Sequence, residues 1–505
     1  MRQGIVAALA LAAALATAGI AGAQAQHLRI ALREDPDILD PTLSRTYVGR
    51  IVYAALCDKL FDIDERLEIV PQLATAHRWD DPRTLVLTLR EGVRFHDGEP
   101  LDAEAVRFSL HRHLTLQGSF RRSEIGDVEA VEVVDPRTVR IRLKQPSAAF
   151  LSHLTDRAGM VLSPRAAEAA GRNFGTRPVC AGPFRFAERI AQDRIVVERF
   201  PEYWDAGRIH LQRITYQPIP DNTVRLANLQ SGAVEFAERL EPDDIRTLQR
   251  DRRFRVVAVE ELGYQNLQIN VGNGPRAGTP LGRDPRVRHA LELSLDRDAI
   301  NRVVYEGMYT PTVQPIPPAS PFHIRALRPE PRNPDGARAL LREAGVAAPV
   351  PVELLIPNNP DLRQAGEVMQ AMAREAGFDL RLRAIEFASG LQAVQRGDFE
   401  LWLVGWSGRA DPDGNTYPFF VTGAGQNDGQ YANPEVDRLL GAARAELDAE
   451  KRKALYEEAL TIAVRRDRPR IYLWHRKNIM AHSARLTGYR PVPDGMIRVQ
   501  GLRLD

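Results

Sequence analysis

The sequence predicts an α/β protein divided into two or more lobes, and three observations carry that expectation. The chain runs to 505 residues, more than one hydrophobic core usually serves. Residues 60–180 hold short segments of alternating apolar residues that read as strands. From about residue 182 the pattern changes to strand, helix and strand in repeated order, as in α/β units.

The first residues indicate where the protein works. Met1-Arg2 precedes an Ala/Leu-rich run from Ile5 to Ile20, and Ala23-Gln24-Ala25 then fits the small-x-small cleavage rule. The run of about 16 residues is shorter than the roughly 20 a membrane span needs. The expectation is a signal peptide over residues 1–25 and a soluble mature chain in a periplasm-like space. No cysteine near the junction offers a lipid attachment point. With 68 basic against 66 acidic side chains the net charge is +2, which argues against nucleic acid as a partner. Two cysteines, Cys57 and Cys180, form an even pair that in an oxidising compartment invites a disulfide. Two buried thiols are the alternative.

Along the chain, "HLRIAL" at 27–32 is a strand candidate, followed by the turn-rich "REDPDILDPTLSR". "RTLVLTLR" at 83–90 alternates Leu85, Leu87 and Leu89; Asp102 caps a helix; and Val139, Ile141 and Leu143 alternate after the Asp135-Pro136 turn. Asp221 or Asn222 caps the next helix, which Gly232 ends. Asp284-Pro285 opens a helix pair that Gly307 closes, and "LQIN" at 267–270 reads as a strand leading toward a hinge. Leu362, Val368, Met369, Met372 and Ala376 recur at helical spacing, with Met369 and Met372 read as core and Gly377 as the stop. "FDLRLRA" alternates as a strand, and "DFELWLVGW" is a second strand that runs into the loop "GWSGRADPDGNTY", residues 405–417. Loops at strand ends are where open α/β sheets bind ligands. Helices follow from Asn433-Pro434 and over 448–466, before a Gly/Pro-rich tail.

No catalytic template fits. "GWSGR" is not a nucleophile elbow, because glycine follows Ser407 at once. The chain lacks H-E-x-x-H, C-x-x-C and a Walker lysine. His111 and His113 lie two apart, a spacing that does not share a helix face. Neither a cofactor nor a metal is expected.

Several stretches together resemble family 5 extracellular solute-binding proteins, the dipeptide-, oligopeptide- and nickel-binding class that serves ABC importers. Residues 70–110, "VPQLATAHRWDDPRTLVLTLREGVRFHDGEPLDAEAVRFSL", are similar to the family's signature block. "PVCAGPFRF" at 178–186 is similar to a second block, with Cys180 in place of a glycine. "LANLQSGAVEFAE", "DPRVRHALELSLDRDAI", "GWSGRADPDGN" and "YANPEVDRLL" follow in the family's order. The resemblance implies a two-lobed periplasmic-binding-protein fold with an extra subdomain in the first lobe. Residues 26–59, 182–270 and 479–505 would form the first lobe, 60–181 its extra subdomain, and 271–478 the second lobe. It implies a monomer that closes over a small-molecule or short-peptide ligand and presents it to an ABC permease of the inner membrane. The ligand could instead be an opine, a sugar-phosphate conjugate or a metal chelate; an exported hydrolase is the rival class.

Site residues follow from the same resemblance. Arg45, Thr46 and Tyr47, after "DPTLS", would line the cleft in the first lobe, and Tyr264 and Asn266 would lie near the hinge. Trp406 would stack on the ligand or pack beneath the loop. Peptide-binding members carry an aspartate three residues after this tryptophan, where it pairs with the ligand's amino terminus; here that position is Arg409. Either Asp411 takes over that role, or Arg409 anchors an acidic group, or Arg409 pairs internally with Asp411 or Asp413. Family topology would also bring Cys57 and Cys180 together at the base of the first lobe.

Overall fold

The computed structural model describes residues 26–505; the signal peptide and cleavage junction read at residues 1–25 lie outside them. One eleven-stranded mixed sheet runs through the molecule. Two long antiparallel strands, Phe254–Ile269 and Arg470–Ser483, form its centre and cross from one lobe to the other. Their first-lobe ends join Phe236–Ala237, His27–Leu32, Arg213–Pro218, Arg194–Arg199 and Phe184–Ile190 in that order. On the second-lobe side Phe254–Ile269 pairs with Leu401–Trp406, which leads to Val350–Pro357 and Phe378–Ile385.

The central pair breaks register between Glu260 and Tyr264, so a bulge kinks the strands where they pass between lobes. Gly263 belongs there because a Cβ would lie 2.0 Å from the Trp406 carbonyl oxygen. In the sequence only the end of this strand, "LQIN" at 267–270, reads as a strand. Its second half is buried on both faces, so the sequence there does not tell which side chains meet the cleft.

Each lobe has its own core. Leu28, Ile30, Val197, Ile214 and Tyr216 share the first-lobe core with Met480, Ile497 and Leu502 from the chain's end. Val352, Leu354, Met369, Leu380 and Leu403 share the second. A separate four-stranded antiparallel sheet, Ala74–Asp81, Thr84–Leu89, Thr138–Leu143 and Val128–Asp135, packs on the helix Ala103–Thr115 around Leu85, Leu87, Val106 and Ile141. Local chemistry explains the ends of the helices. Asp102 accepts from the Ala105 amide, and Asp221 from that of Val224. Gly232 and Gly377 take φ of 76° and 92°, a left-handed backbone that glycine adopts at no steric cost. The helix Arg297–Tyr305 already turns at Glu306, φ 50°, one residue before Gly307. The helical stretch at 448–466 is the α-helix Ala449–Leu460 continued by a wider π-type turn over Thr461–Asp467.

Cys57 and Cys180 are disulfide-bonded, with Cα atoms 4.9 Å apart, inside the first-lobe core. Cys57 ends the helix Tyr47–Leu56, its amide donating to the Tyr53 carbonyl.

Candidate functional site

The lobes meet over a narrow cleft lined by charged and aromatic side chains. Glu34, Tyr47, Glu238 and Arg239 form its first-lobe wall, and Asp361, Phe387 and Trp406 its second-lobe wall. Gln265, Trp474 and Arg476 of the long central strands form its floor. Glu34 and Glu238 leave the carboxyl ends of neighbouring parallel strands, in which Ala31 stands opposite Ala237. Such strand ends are where open sheets place ligand-binding groups.

Most charges on the wall are already matched. Arg33 pairs with Asp361 across the cleft, and its amide donates to Glu238 Oε1 at 2.6 Å. Arg239 donates to Glu261 at 2.5 Å while its guanidinium lies 4.4 Å from the Tyr47 ring centroid. Arg476 donates to Glu261, to Gln265 Oε1 and to the Trp406 carbonyl, each at 3.0 Å. Gly405 makes room for it, since a Cβ there would come within 2.3 Å of Arg476 Nη1. Against its burial, Arg239 and Arg476 hold the Glu261 carboxyl below the ordinary range. Glu34 differs, having no hydrogen-bond partner among the described residues. Desolvation in the cleft pushes its carboxyl up to about 8, with Arg33 opposing and Glu238 adding. Desolvation also raises Glu238, opposed by Arg239.

Sequence-chosen residues divide between the cleft and its surroundings. Arg45 lines the cleft and closes its rim, donating to Asp428 at 2.6 Å and to Gln426 at 2.8 Å. Tyr47 lines it as well, its hydroxyl donating to the Gly495 carbonyl and accepting from Asn478. Trp406 lies on the wall with its indole N–H donating to Asn415 Oδ1 at 3.0 Å. Asn266 lines a smaller adjoining cavity, where its amide donates to the Val404 carbonyl and accepts from Arg470.

Four expectations need correcting. Thr46 is not a wall residue: it caps the helix Tyr47–Leu56, and its hydroxyl donates to Asp37 at 2.8 Å. Tyr264 is fully buried against Phe419 and Tyr472. Successive side chains alternate across a strand, and Gln265, one residue on, holds the cleft position. Arg409 does not line the cleft. Its Nε meets Asp156 Oδ2 at 2.8 Å, so its partner is neither Asp411 nor Asp413. Asp411 takes a bidentate pair from Arg452, 2.7 Å on both sides. Asp413 accepts from Arg444 and contacts His153 Nε2 at 2.9 Å. The loop 405–417 is thus a lobe-to-lobe fastening, with Asp156 and His153 contributed from the opposite side. Arg50 joins it, donating to Ser407 at 3.0 Å and pairing with Asp156 at 2.7 Å.

Sequence reasoning missed Glu34, Glu238, Arg239, Gln265, Trp474 and Arg476. Glu34 lies two residues after "HLRIAL" and Glu238 directly after "AVEFA", so the strand-end rule could have found them. Arg239, Gln265, Trp474 and Arg476 needed the register of the central strands.

Among the described residues, no helix is long and apolar enough to cross a membrane, and no group of three or more His, Cys, Asp or Glu side chains could hold a metal. The family described as "Bacterial extracellular solute-binding proteins, family 5 Middle" matches residues 68–428. The glutathione-binding protein GsiB of Salmonella paratyphi A is 30% identical over 502 residues, covering 97% of this chain and 96% of that protein. In structure the chain is similar to the periplasmic binding protein DppA of Helicobacter pylori in complex with the peptide STSA. That match has a TM-score of 0.86 at 23% identity and covers 95% of this chain and 98% of the other. A dipeptide binding protein of Pseudoalteromonas sp. SM9913 in complex with Met-Leu gives a TM-score of 0.87 at 23% identity, covering 95% and 100%. The fold is therefore the two-lobed periplasmic-binding-protein fold.

Proposed function

Since the chain belongs to the family 5 bacterial extracellular solute-binding proteins, we propose that it is the periplasmic capture component of an ABC importer. It closes its lobes over a small peptide or peptide-like solute and hands it to an inner-membrane permease. The observation that carries this reading is the cleft itself. A charged cleft lies between lobes that are ion-paired across its rim, with polar groups converging on it as in small-ligand sites. The relative named for glutathione binding supports a tripeptide-sized ligand. The cleft wall supplies positioned charges and hydrogen-bonding groups, and the Arg409–Asp156 pair of loop 405–417 serves closure, so the reading is binding and not turnover.

Titration calorimetry with glutathione and a panel of di- and tripeptides tests the proposal. The expected result is saturable binding at one equivalent per chain for at least one of them. Absence of binding across the panel would overturn the peptide reading.

A further inference from the structure

We propose, on the reading that this cleft is the ligand site, that Glu34 and Glu238 receive an ammonium group of the ligand, and that Gln265 and Trp474 donate to an oxygen of the same molecule. The amine anchor would then stand at the first-lobe strand ends and not in loop 405–417.

The argument begins with charge. Around this end of the cleft stand Glu34, Glu238, Glu241, Glu261, Asp361 and Glu386, against Arg33, Arg225, Arg239 and Arg476. Arg33 is engaged by Asp361, with Glu241 at 3.9 Å. Arg239 and Arg476 both converge on Glu261. Arg225 donates to the backbone carbonyls of Ile219, Glu238 and Arg239. What remains is the Glu34 carboxylate and the second oxygen of Glu238. Glu238 is fully buried, and its Oε2 has no hydrogen-bond partner, the nearest cation being Arg239 Nε at 3.8 Å. Two carboxylates side by side repel, and a cation between them removes both the repulsion and the desolvation cost. A primary ammonium suits this geometry because it carries three donors on one small charge.

The floor of the cleft provides the opposite chemistry. Gln265 Nε2 and Trp474 Nε1 are buried donors without partners. Gln265 and Trp474 are paired across the central strands in register, and both line the cleft. Gln265 Oε1 is held by Arg476 Nη1 at 3.0 Å, which fixes the amide with its NH2 unpartnered. A carbonyl or carboxylate oxygen is the group that would accept from these donors. In contrast, Arg409 pairs through Nε with Asp156 and is not among the residues lining the cleft.

The test is binding, by calorimetry and thermal shift, of wild type, Glu34→Gln and Glu238→Gln. The probes are glutathione and Ala-Ala-Ala, each with a free and an N-acetylated amino end, together with putrescine and agmatine as amines without a peptide bond. Glutamine preserves the shape, and its oxygen can still accept from the Arg33 amide. The anchor predicts that N-acetylation or either substitution weakens the free-amine probes by about ten-fold or more. The N-acetylated probes should not distinguish the variants from wild type. Equal binding of free and acetylated tripeptides overturns the anchor and leaves the peptide reading intact. Binding of the simple amines alone, lost in the variants, supports the anchor and overturns the peptide reading. No stabilisation by any ammonium-bearing probe overturns the anchor.

Discussion

Asp156 holds three arginines, with Arg409 at 2.8 Å, Arg50 at 2.7 Å and Arg157 at 3.6 Å. Despite burial, Arg409 and Arg50 keep its carboxyl well below the ordinary range. Burial, reinforced by Arg50 and opposed by Asp156, holds the Arg409 guanidinium down at about 9. Asp156→Asn would leave Arg409 crowded against Arg50 and Arg157 only when the lobes are together, because separation carries Arg409 away with the second lobe. Removing one partner of a buried pair costs about 3 kcal/mol or more, so ligand affinity is expected to fall about a hundred-fold. Calorimetry checks the loss, and unchanged affinity would show that the loop does not fasten the closed state. Glu34 makes a second prediction. Its carboxyl is raised in the folded protein to about 8 from an ordinary value of 4.5. Its contribution to stability is therefore greatest below about pH 4.5 and is lost as pH rises toward 8. Ligand-free Glu34→Gln should melt above wild type at pH 8, with the difference shrinking toward pH 5. The one-letter pattern "GWSGRADPDGN" exposed a loop dense in charge but not the partners of those charges, since Asp156, Arg444 and Arg452 lie far away in sequence.

Elements were more legible than contacts. Aspartate caps, left-handed glycines and the alternation at 83–90 are local chemistry, and they predict local structure. Of the two central strands only "LQIN" at the end of Phe254–Ile269 is read from the sequence, while Arg470–Ser483 is buried along most of its length and shows no period of two. Without the strand's register, the sequence does not distinguish Tyr264 from Gln265 as the residue facing the cleft. The disulfide belongs to this scale too, tying the end of the helix Tyr47–Leu56 to the segment that re-enters the first lobe. It closes a span of 123 residues; in the chain-entropy account this constrains the unfolded chain by about 5 kcal/mol. The paired Cys57→Ser and Cys180→Ser variant should show a clearly lower denaturant midpoint than the oxidised wild type. A midpoint equal to that of wild type would assign the bridge no stabilising role.

At the scale of the whole molecule, the chain is two lobes joined by two strands, with a cleft that neither lobe could form alone. The resemblance in block order identified that architecture, and composition alone gave only its size and neutrality. Ligand chemistry was hidden because it depends on which carboxylates and donors remain unmatched after folding. Closure then follows from differential contacts: Arg33–Asp361, Arg45–Asp428 and Arg409–Asp156 form only with the lobes together, so a ligand that adds contacts to both walls shifts the population toward the closed form. Native mass spectrometry after incubation with an equimolar mixture of glutathione and free-amine tripeptides tests the account most directly. It predicts one intact ligand mass added per chain, with the mixture otherwise unchanged; a bare chain, or peptide fragments accumulating with time, would contradict it.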